Sequence, residues 1–395
     1  MKESRTIMIV AGEASGDTHA AKLVNALCEA EPDTKMTFFG SAGPKMRAAG
    51  VEATVVADEL SVVGLAEIGC VLPMFLRAFR ALTRAAVERK PDVVVLVDFP
   101  DFNLKLAKSL KKKGFVVVYY ISPQIWAWRK YRISVIRKYV DLMIAILPFE
   151  KDWYETNDVS HVEYVGSPLA MEVHANVSKV DFCRKHDLIA DRPIVALLPG
   201  SRRKEIVRIL PVMLDAAAKM SEKSFETQFI IPLATNQYDV DVEQAIIAAR
   251  LRGIKMPGTL RILENETYDA LNASDAAAVT SGTATLEAGM IGTPMAIVYK
   301  SSALNYLLLK PLISVAHYGL INLIAGKRIA NELIQGDFTA TTLSSELLRL
   351  LEPAANTEMR ASLKAAADTL GHGGASKRAA EAIIKLIDSK IRTAC

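Results

Sequence analysis

Residues 195–205 read V-A-L-L-P-G-S-R-R-K-E and residues 276–287 read A-A-A-V-T-S-G-T-A-T-L-E. Each is an apolar β-run that ends in a small-residue turn and opens a helical pattern. A strand–turn–helix of this kind offers backbone N–H groups at the helix N-terminus, which suits an anion. The first turn carries Gly200, Ser201, Arg202 and Arg203, and the second carries Ser281, Gly282 and Thr283, with Glu287 about one turn into its helix. Arginine clamps a diphosphate, and a carboxylate accepts from two sugar hydroxyls. Together they point to a nucleotide-sugar pocket in the second half of the chain and towards glycosyl transfer.

The same rhythm runs through the whole sequence. Short apolar runs at 6–11, 36–40, 93–97, 115–121, 141–147 and 162–165 alternate with helical stretches. The pattern recurs at 194–198, 228–232, 260–263, 276–280 and 295–299. The runs are apolar throughout, as parallel strands buried on both faces are. They predict an α/β protein with two doubly wound, Rossmann-like domains. A chain of 395 residues, 51% hydrophobic, accommodates two such cores. The expected divisions are 1–170, 171–370 and a tail, 371–395, with Ser376 as a candidate helix cap.

Composition narrows the class. The net charge of +4 is too small for a dedicated nucleic-acid binder but suits an anionic ligand or surface. Four dispersed cysteines read as free thiols of a reducing compartment. Neither a signal peptide nor a spanning segment is expected, which favours the cytoplasm. No histidine has zinc spacing, and D-V-D at 239–241 reads better as a helix cap than as a metal pair.

Four first-half features carry potential chemistry. G-E-A-S-G-D (12–17) follows the first strand and precedes a helix expected from about Thr18. It is not the dinucleotide fingerprint, and Glu13, Ser15 and Asp17 favour sugar hydroxyls over a diphosphate, unless Asp17 only caps the turn. V-D-F-P-D-F-N (97–103) ends a strand, making Asp98 a candidate general base, with Asp101 and Asn103 candidate caps. In I-S-P-Q-I-W-A-W-R (121–129), Trp126, Trp128 and Arg129 offer either a stacking and phosphate surface or a core cluster. Over 62–90, Leu72, Phe75, Leu76, Phe79 and Leu82 share one helical face, and Arg77, Arg80 and Arg84 a neighbouring one. That division fits a membrane interface or a core-facing helix. A second apolar region, 304–325, is broken by Lys310-Pro311 and does not span.

Eight motifs in order make the chain similar to the lipid-A-disaccharide synthase family of Gram-negative bacteria. They are G-E-A-S-G-D, S-A-G-P-K-M (41–46), V-D-F-P-D-F-N, S-P-Q-I-W-A-W-R, L-P-F-E-K (147–151), L-P-G-S-R-R-K-E-I, S-G-T-A-T-L-E and N-L-I-A-G (322–326). The resemblance implies a GT-B fold with an interdomain cleft and a C-terminal helix returning to the first domain. It implies metal-independent, cofactor-free inverting transfer from UDP-2,3-diacylglucosamine to 2,3-diacylglucosamine 1-phosphate (lipid X). It places Asp98 on the family's essential aspartate, Arg202 on its essential arginine and Asn322 on an important asparagine, and Asn322 and Asn103 are expected, with Glu13, Ser15, Asp17, Trp128 and Arg129, to bind the acceptor or sugar. It further implies an enzyme peripheral to the inner membrane, with Leu72, Phe75, Leu76 and Phe79 facing the bilayer. A homodimer is left open, and nucleic acid is not a partner. On the residues alone, a UDP-N-acetylglucosamine 2-epimerase of the same architecture or a non-catalytic membrane-surface protein stays open. An NAD-dependent oxidoreductase would want the missing fingerprint.

Overall fold

The computed structural model describes residues 4–57, 68–224, 226–233, 238–302, 315–371 and 373–394. They fall into two compact units, Met1–Pro168 with His372–Cys395, and Leu169–Gly371.

The first unit is built on seven parallel strands: β1 (Ser4–Val10), β2 (Lys35–Ala42), β3 (Val51–Val56), β4 (Val93–Val97), β5 (Val117–Tyr120), β6 (Leu142–Ala145) and β7 (Val162–Tyr164). Their order is β3-β2-β1-β4-β5-β6-β7, so the winding reverses between β1 and β4. Side chains alternate across the sheet. Ile7, Ile9, Val93, Val95 and Val97 enter one core, with the Ala14–Ala30 helix, while Met8, Val10, Val94 and Leu96 enter the other. This two-sided burial explains why the strands read as unbroken apolar runs.

The second unit repeats the scheme with β8 (Ile194–Leu198), β9 (Gln228–Leu233), β10 (Leu260–Glu264), β11 (Ala276–Thr280), β12 (Met295–Tyr299) and β13 (Asn331–Ile334). The order β10-β9-β8-β11-β12-β13 reverses between β8 and β11. In open parallel sheets the reversal leaves a crevice at the strand carboxyl ends, where ligands bind.

The C-terminal Ala375–Ala394 helix is part of the first unit. Ala379, Ala380, Ile383 and Ile387 join the core beside the Ala14–Ala30 helix. Arg378 Nε donates to Val165 O (2.8 Å), and buried Arg5 pairs with Glu31 (2.7 Å) and Asp388 (2.8 Å).

Several expectations need correcting. The edge strands β3 and β13 were not foreseen, because V-E-A-T-V-V is only half buried and N-E-L-I is short and polar. The first helix begins at Ala14, so Ser15, Gly16 and Asp17 lie in its first turn rather than in a loop before Thr18. The last helix begins at Ala375, which removes Ser376 as its cap. Asp239 and Asp241 occupy the first turn of the Asp239–Leu251 helix, whose cap position is Tyr238.

The apolar stripe is also corrected. In the Ile68–Arg89 helix, Phe75 stacks on Phe99 (centroids 6.0 Å apart) and Phe79 meets Phe102 edge-on (6.0 Å). Both rings pack on the body of the unit, and Leu82 is fully buried. Of the four residues expected at a membrane, Leu76 is the one shown facing outward, at 46% exposure. The side chain of Leu72 and residues 303–314 lie outside the described residues. Among the described residues, no helix is long and apolar enough to cross a membrane.

This packing separates two substitutions within one stripe. Phe79→Ser removes a packed ring and should cost roughly 2–4 kcal/mol of stability. Leu76→Ser should stay within about 0.5 kcal/mol. Urea midpoints measure both, and equal, small losses would return Phe79 to the surface.

Candidate active site

At the reversal of the first sheet, the turns after β1 and β4 meet. Asp98 and Phe99 both have left-handed backbone, with φ of 47° and 50°. Two consecutive non-glycine residues in that region cost of order 1–3 kcal/mol each. The turn is held by three hydrogen bonds. The Asp98 amide donates to Tyr120 O (3.0 Å), and the Asp98 carbonyl accepts from Tyr119 Oη (2.6 Å) and Asn103 Nδ2 (2.8 Å). Gly12 is required opposite, since a Cβ there would lie 2.3 Å from the Phe99 ring. The geometry leaves the Asp98 carboxyl half-buried, with Glu13 near enough to repel it. Burial and the Glu13 charge push Asp98 up to about 6, against a hydrogen bond from the Phe99 amide.

The neighbouring polar residues divide by what already occupies them. Asp17 is buried, and its two carboxylate oxygens accept from the Met46 amide (3.0 Å) and the Lys45 amide (2.9 Å). It therefore ties S-A-G-P-K-M to the first turn instead of presenting oxygens to a sugar. Asn103 is fully buried and its Nδ2 donates to Val97 O (3.2 Å) as well as Asp98 O, so it braces the Asp98 turn rather than capping the helix. Glu13 and Ser15 are exposed at the start of the helix.

The S-P-Q-I-W-A-W-R segment splits in the same way. Trp126 is buried and donates through Nε1 to Glu150 (3.0 Å), whereas Trp128 is 40% exposed under the Arg129 guanidinium (4.2 Å to the ring). Asp101 is no cap either: it pairs with Arg129 (2.8 Å) and with Arg132. Glu150 also accepts from the Ile146 and Leu147 amides (3.1 and 3.0 Å). Burial pushes its carboxyl up to about 7 despite those donors.

In the second unit, a cavity of about 580 Å³ lies at the reversal between β8 and β11. Gly200, Ser201, Arg202, Ser281–Thr283 and Glu287 all line it. The two turns are not equivalent. Glu205 lies over the first, accepting from the Ser201 and Arg202 amides (3.1 and 3.3 Å), and a Cβ at Gly200 would lie 2.4 Å from its Oε2. Those N–H groups are therefore taken, contrary to the reading of that turn as a vacant anion cradle. The second turn is open. Gly282 (φ 148°) caps the Thr283–Ile291 helix without a side chain, and a Cβ there would meet nothing within 4 Å.

Arg202 is 82% exposed and only loosely paired with Glu205 (3.7 Å), so it is free to move onto a ligand, whereas Arg203 is engaged by Asp241 (2.9 Å). Deeper in the cavity, Glu287 accepts a hydrogen bond from Tyr268. Burial raises Glu287, with Glu172 adding to it, and burial pushes Tyr268 up to about 12.

Asn322 lies outside the cavity lining and is fully buried. Its Oδ1 accepts from the Ile329 and Ala330 amides (2.9 Å each), and its Nδ2 donates to Ala330 O (2.8 Å) and Glu332 (2.9 Å). All its hydrogen-bonding capacity is spent within the fold, which corrects its expected role as a sugar ligand. Among the described residues, no group of three or more His, Cys, Asp or Glu is placed to hold a metal.

The lipid-A-disaccharide synthetase family model matches residues 7–386. The chain belongs to that family. The lipid-A-disaccharide synthase of Myxococcus xanthus is 44% identical over 382 residues, covering 96% of this chain and 97% of that protein. Among solved structures, a putative UDP-N-acetylglucosamine 2-epimerase from Listeria monocytogenes superposes with a TM-score of 0.65 at 15% identity, covering 98% of this chain and 97% of that one. The calicheamicin glycosyltransferase CalG4 does so at 0.56 and 14%, covering 99% and 100%. These two share the fold alone, two Rossmann-like domains of the GT-B class. Membership in the synthase family makes the chain a glycosyltransferase of lipid A biosynthesis, and the epimerase and binding-protein alternatives fall away.

Tyr119, Glu150, Glu205, Tyr268 and Glu332 were missed as site-building residues in this synthase family member. Two of them had a local signal. Glu150 and Glu205 stand three residues after Leu147 and Arg202, the spacing at which a glutamate reaches back to the backbone before its helix. The others act on groups 10 to 21 residues away, where sequence spacing is silent.

The raised Asp98 carboxyl has a readable consequence. A carboxylate acts as a base only when ionised, so a reaction using it gains rate as pH rises. kcat/KM should climb about tenfold per pH unit below about 6 and level off above it. A flat profile from pH 5 to 7 would show that the rate does not depend on this carboxyl.

Proposed function

We propose that the chain condenses UDP-2,3-diacylglucosamine with lipid X, giving the β-1,6-linked disaccharide 1-phosphate and UDP. Asp98 accepts the proton of the acceptor 6-hydroxyl as its oxygen bonds to the donor anomeric carbon. The bond from that carbon to the diphosphate oxygen breaks on the opposite face, and its electron pair leaves with UDP. Inversion follows from this single displacement.

The observation that carries the reading is the open turn at Gly282 at the rim of a cavity that also holds a half-buried Glu287. The Ser281 amide donates to Val298 O (2.9 Å), so the Gly282–Thr283 backbone would meet phosphate; Glu287 would take the ribose hydroxyls, and Arg202, only loosely held by Glu205, would close on the diphosphate and stabilise the leaving charge. Gly200 and Ser201 would line the pocket wall, the Ser201 amide being held by Glu205. Glu13 and Ser15 would meet the acceptor sugar, and Trp128 with Arg129 its phosphate side. Asp17, Asn103 and Asn322 would serve by holding these groups in place. The outward Leu76 and the basic face of its helix support peripheral contact with the inner membrane, from which acylated substrates are drawn.

The test has two parts. UDP should be released from the diacylated donor only when lipid X is present; release without acceptor would indicate hydrolysis or epimerisation. Glu287→Ala should weaken UDP binding by roughly 10- to 150-fold, the loss of a charged hydrogen bond of about 1.5–3 kcal/mol. Unchanged affinity in the folded variant would remove the ribose assignment.

A further inference from the structure

The open turn in the donor cavity is held from behind. Ser281 Oγ donates to Tyr318 O (2.7 Å), and the Leu320 amide donates to Thr285 Oγ1 (3.1 Å), so the 318–320 segment grips the turn on both sides of Gly282. Thr285 Oγ1 in turn donates to Gly282 O (2.8 Å). The gripping segment is itself fixed by a carboxylate on β13. Glu332 Oε1 accepts from the Tyr318 amide (3.0 Å), the Gly319 amide (3.0 Å) and Asn322 Nδ2 (2.9 Å), and Oε2 lies 3.1 Å from the Tyr318 amide. Glu332 is 6% exposed and lies outside the cavity lining.

We infer that Glu332 is a positioning residue for the donor diphosphate, acting through Tyr318–Leu320 to set the Ser281–Thr285 turn. A buried carboxylate collecting three N–H donors is the stiffest available anchor for a backbone segment. An amide in its place would offer one acceptor oxygen and turn an N–H₂ group towards donors that need acceptors. The turn it controls has no cap side chain of its own, so its amide directions depend on this outside support. Sub-ångström misdirection of such donors weakens ligand binding without unfolding the chain. The inference rests on reading the cavity as the UDP site.

The experiment measures UDP affinity, donor KM, kcat and Tm on the full-length protein. Its variants are Glu332→Gln, Ser281→Ala, the pair combined, and Glu287→Ala. Glu332→Gln and Ser281→Ala should each weaken UDP and raise donor KM on the order of 10-fold, with kcat at saturating donor changed less than about 3-fold. The double variant should lose little beyond the worse single, because both cut one chain of contacts. UDP affinity unchanged in folded Glu332→Gln, with only Tm lowered, would reduce Glu332 to a stabiliser of β13 and overturn the inference. So would effects that add. If Glu332→Gln does not fold, Ser281→Ala with Thr285→Val releases the turn from its own side, and unaltered UDP affinity there overturns it equally. Glu287→Ala separates the two levels. If it weakens UDP while Glu332→Gln does not, the positioning role alone fails; if neither matters, the cavity is not the UDP site.

Discussion

Everything that positions chemistry in this chain follows from one constraint of parallel sheets. Where the strand order reverses, two neighbouring strands send their following helices to opposite faces, and the space beyond their carboxyl ends stays unfilled. The chain does this twice, between β1 and β4 and between β8 and β11. The turns that carry Glu13, Asp98, Arg202 and Gly282 are the four turns at those two points, while Trp128 and Arg129 follow β5. Because the strands are buried on both faces, the turns sit on rigid supports, and small residues or left-handed backbone let them approach closely.

The two sites are tuned in opposite ways. In the first unit, burial and a second acid push Asp98 towards a pKa of about 6, the poise of a general base near neutral pH. Its strained turn is braced by Tyr119 and Asn103, residues that reach no further than the Asp98 carbonyl. In the second unit, Glu205 takes the Ser201 and Arg202 amides of one turn, while the other is left open at Gly282, so the amides left over for a ligand are set by which ones the fold itself consumes. The family relationship supplies the reaction, glycosyl transfer; in the proposed reading Asp98 serves it as a base and the Gly282 turn as a cradle for the departing nucleoside diphosphate.

Sequence reading recovered the parts of this that local chemistry determines. The apolar runs ending in small turns, such as β8 and β11, announce buried parallel strands without help from the rest of the chain. It failed where two environments demand the same residues. Phe75 and Phe79 have the spacing of a membrane stripe and of a core-facing helix alike, and only Phe99 and Phe102, far along the chain, decide between them. Asp17, Asn103 and Asn322 look like ligands because buried polar side chains and sugar-binding ones are the same residue types; Asp17 and Asn322 prove to be engaged by the fold, and Asn103 turns its Nδ2 to the Val97 and Asp98 carbonyls. Glu332 was invisible because a carboxylate within N-E-L-I reads as loop, and its partners lie 10–14 residues upstream.

The central claim is a division of labour: proton removal by Asp98 in one unit, donor binding by the other. Asp98→Asn tests it most directly. Asparagine tolerates the left-handed backbone and keeps the side-chain shape while removing the basicity. The account predicts kcat lowered by roughly 100-fold or more with UDP affinity unchanged. Near-normal kcat in that variant, with a collapse in Glu13→Gln instead, would move the base to the first turn and contradict it.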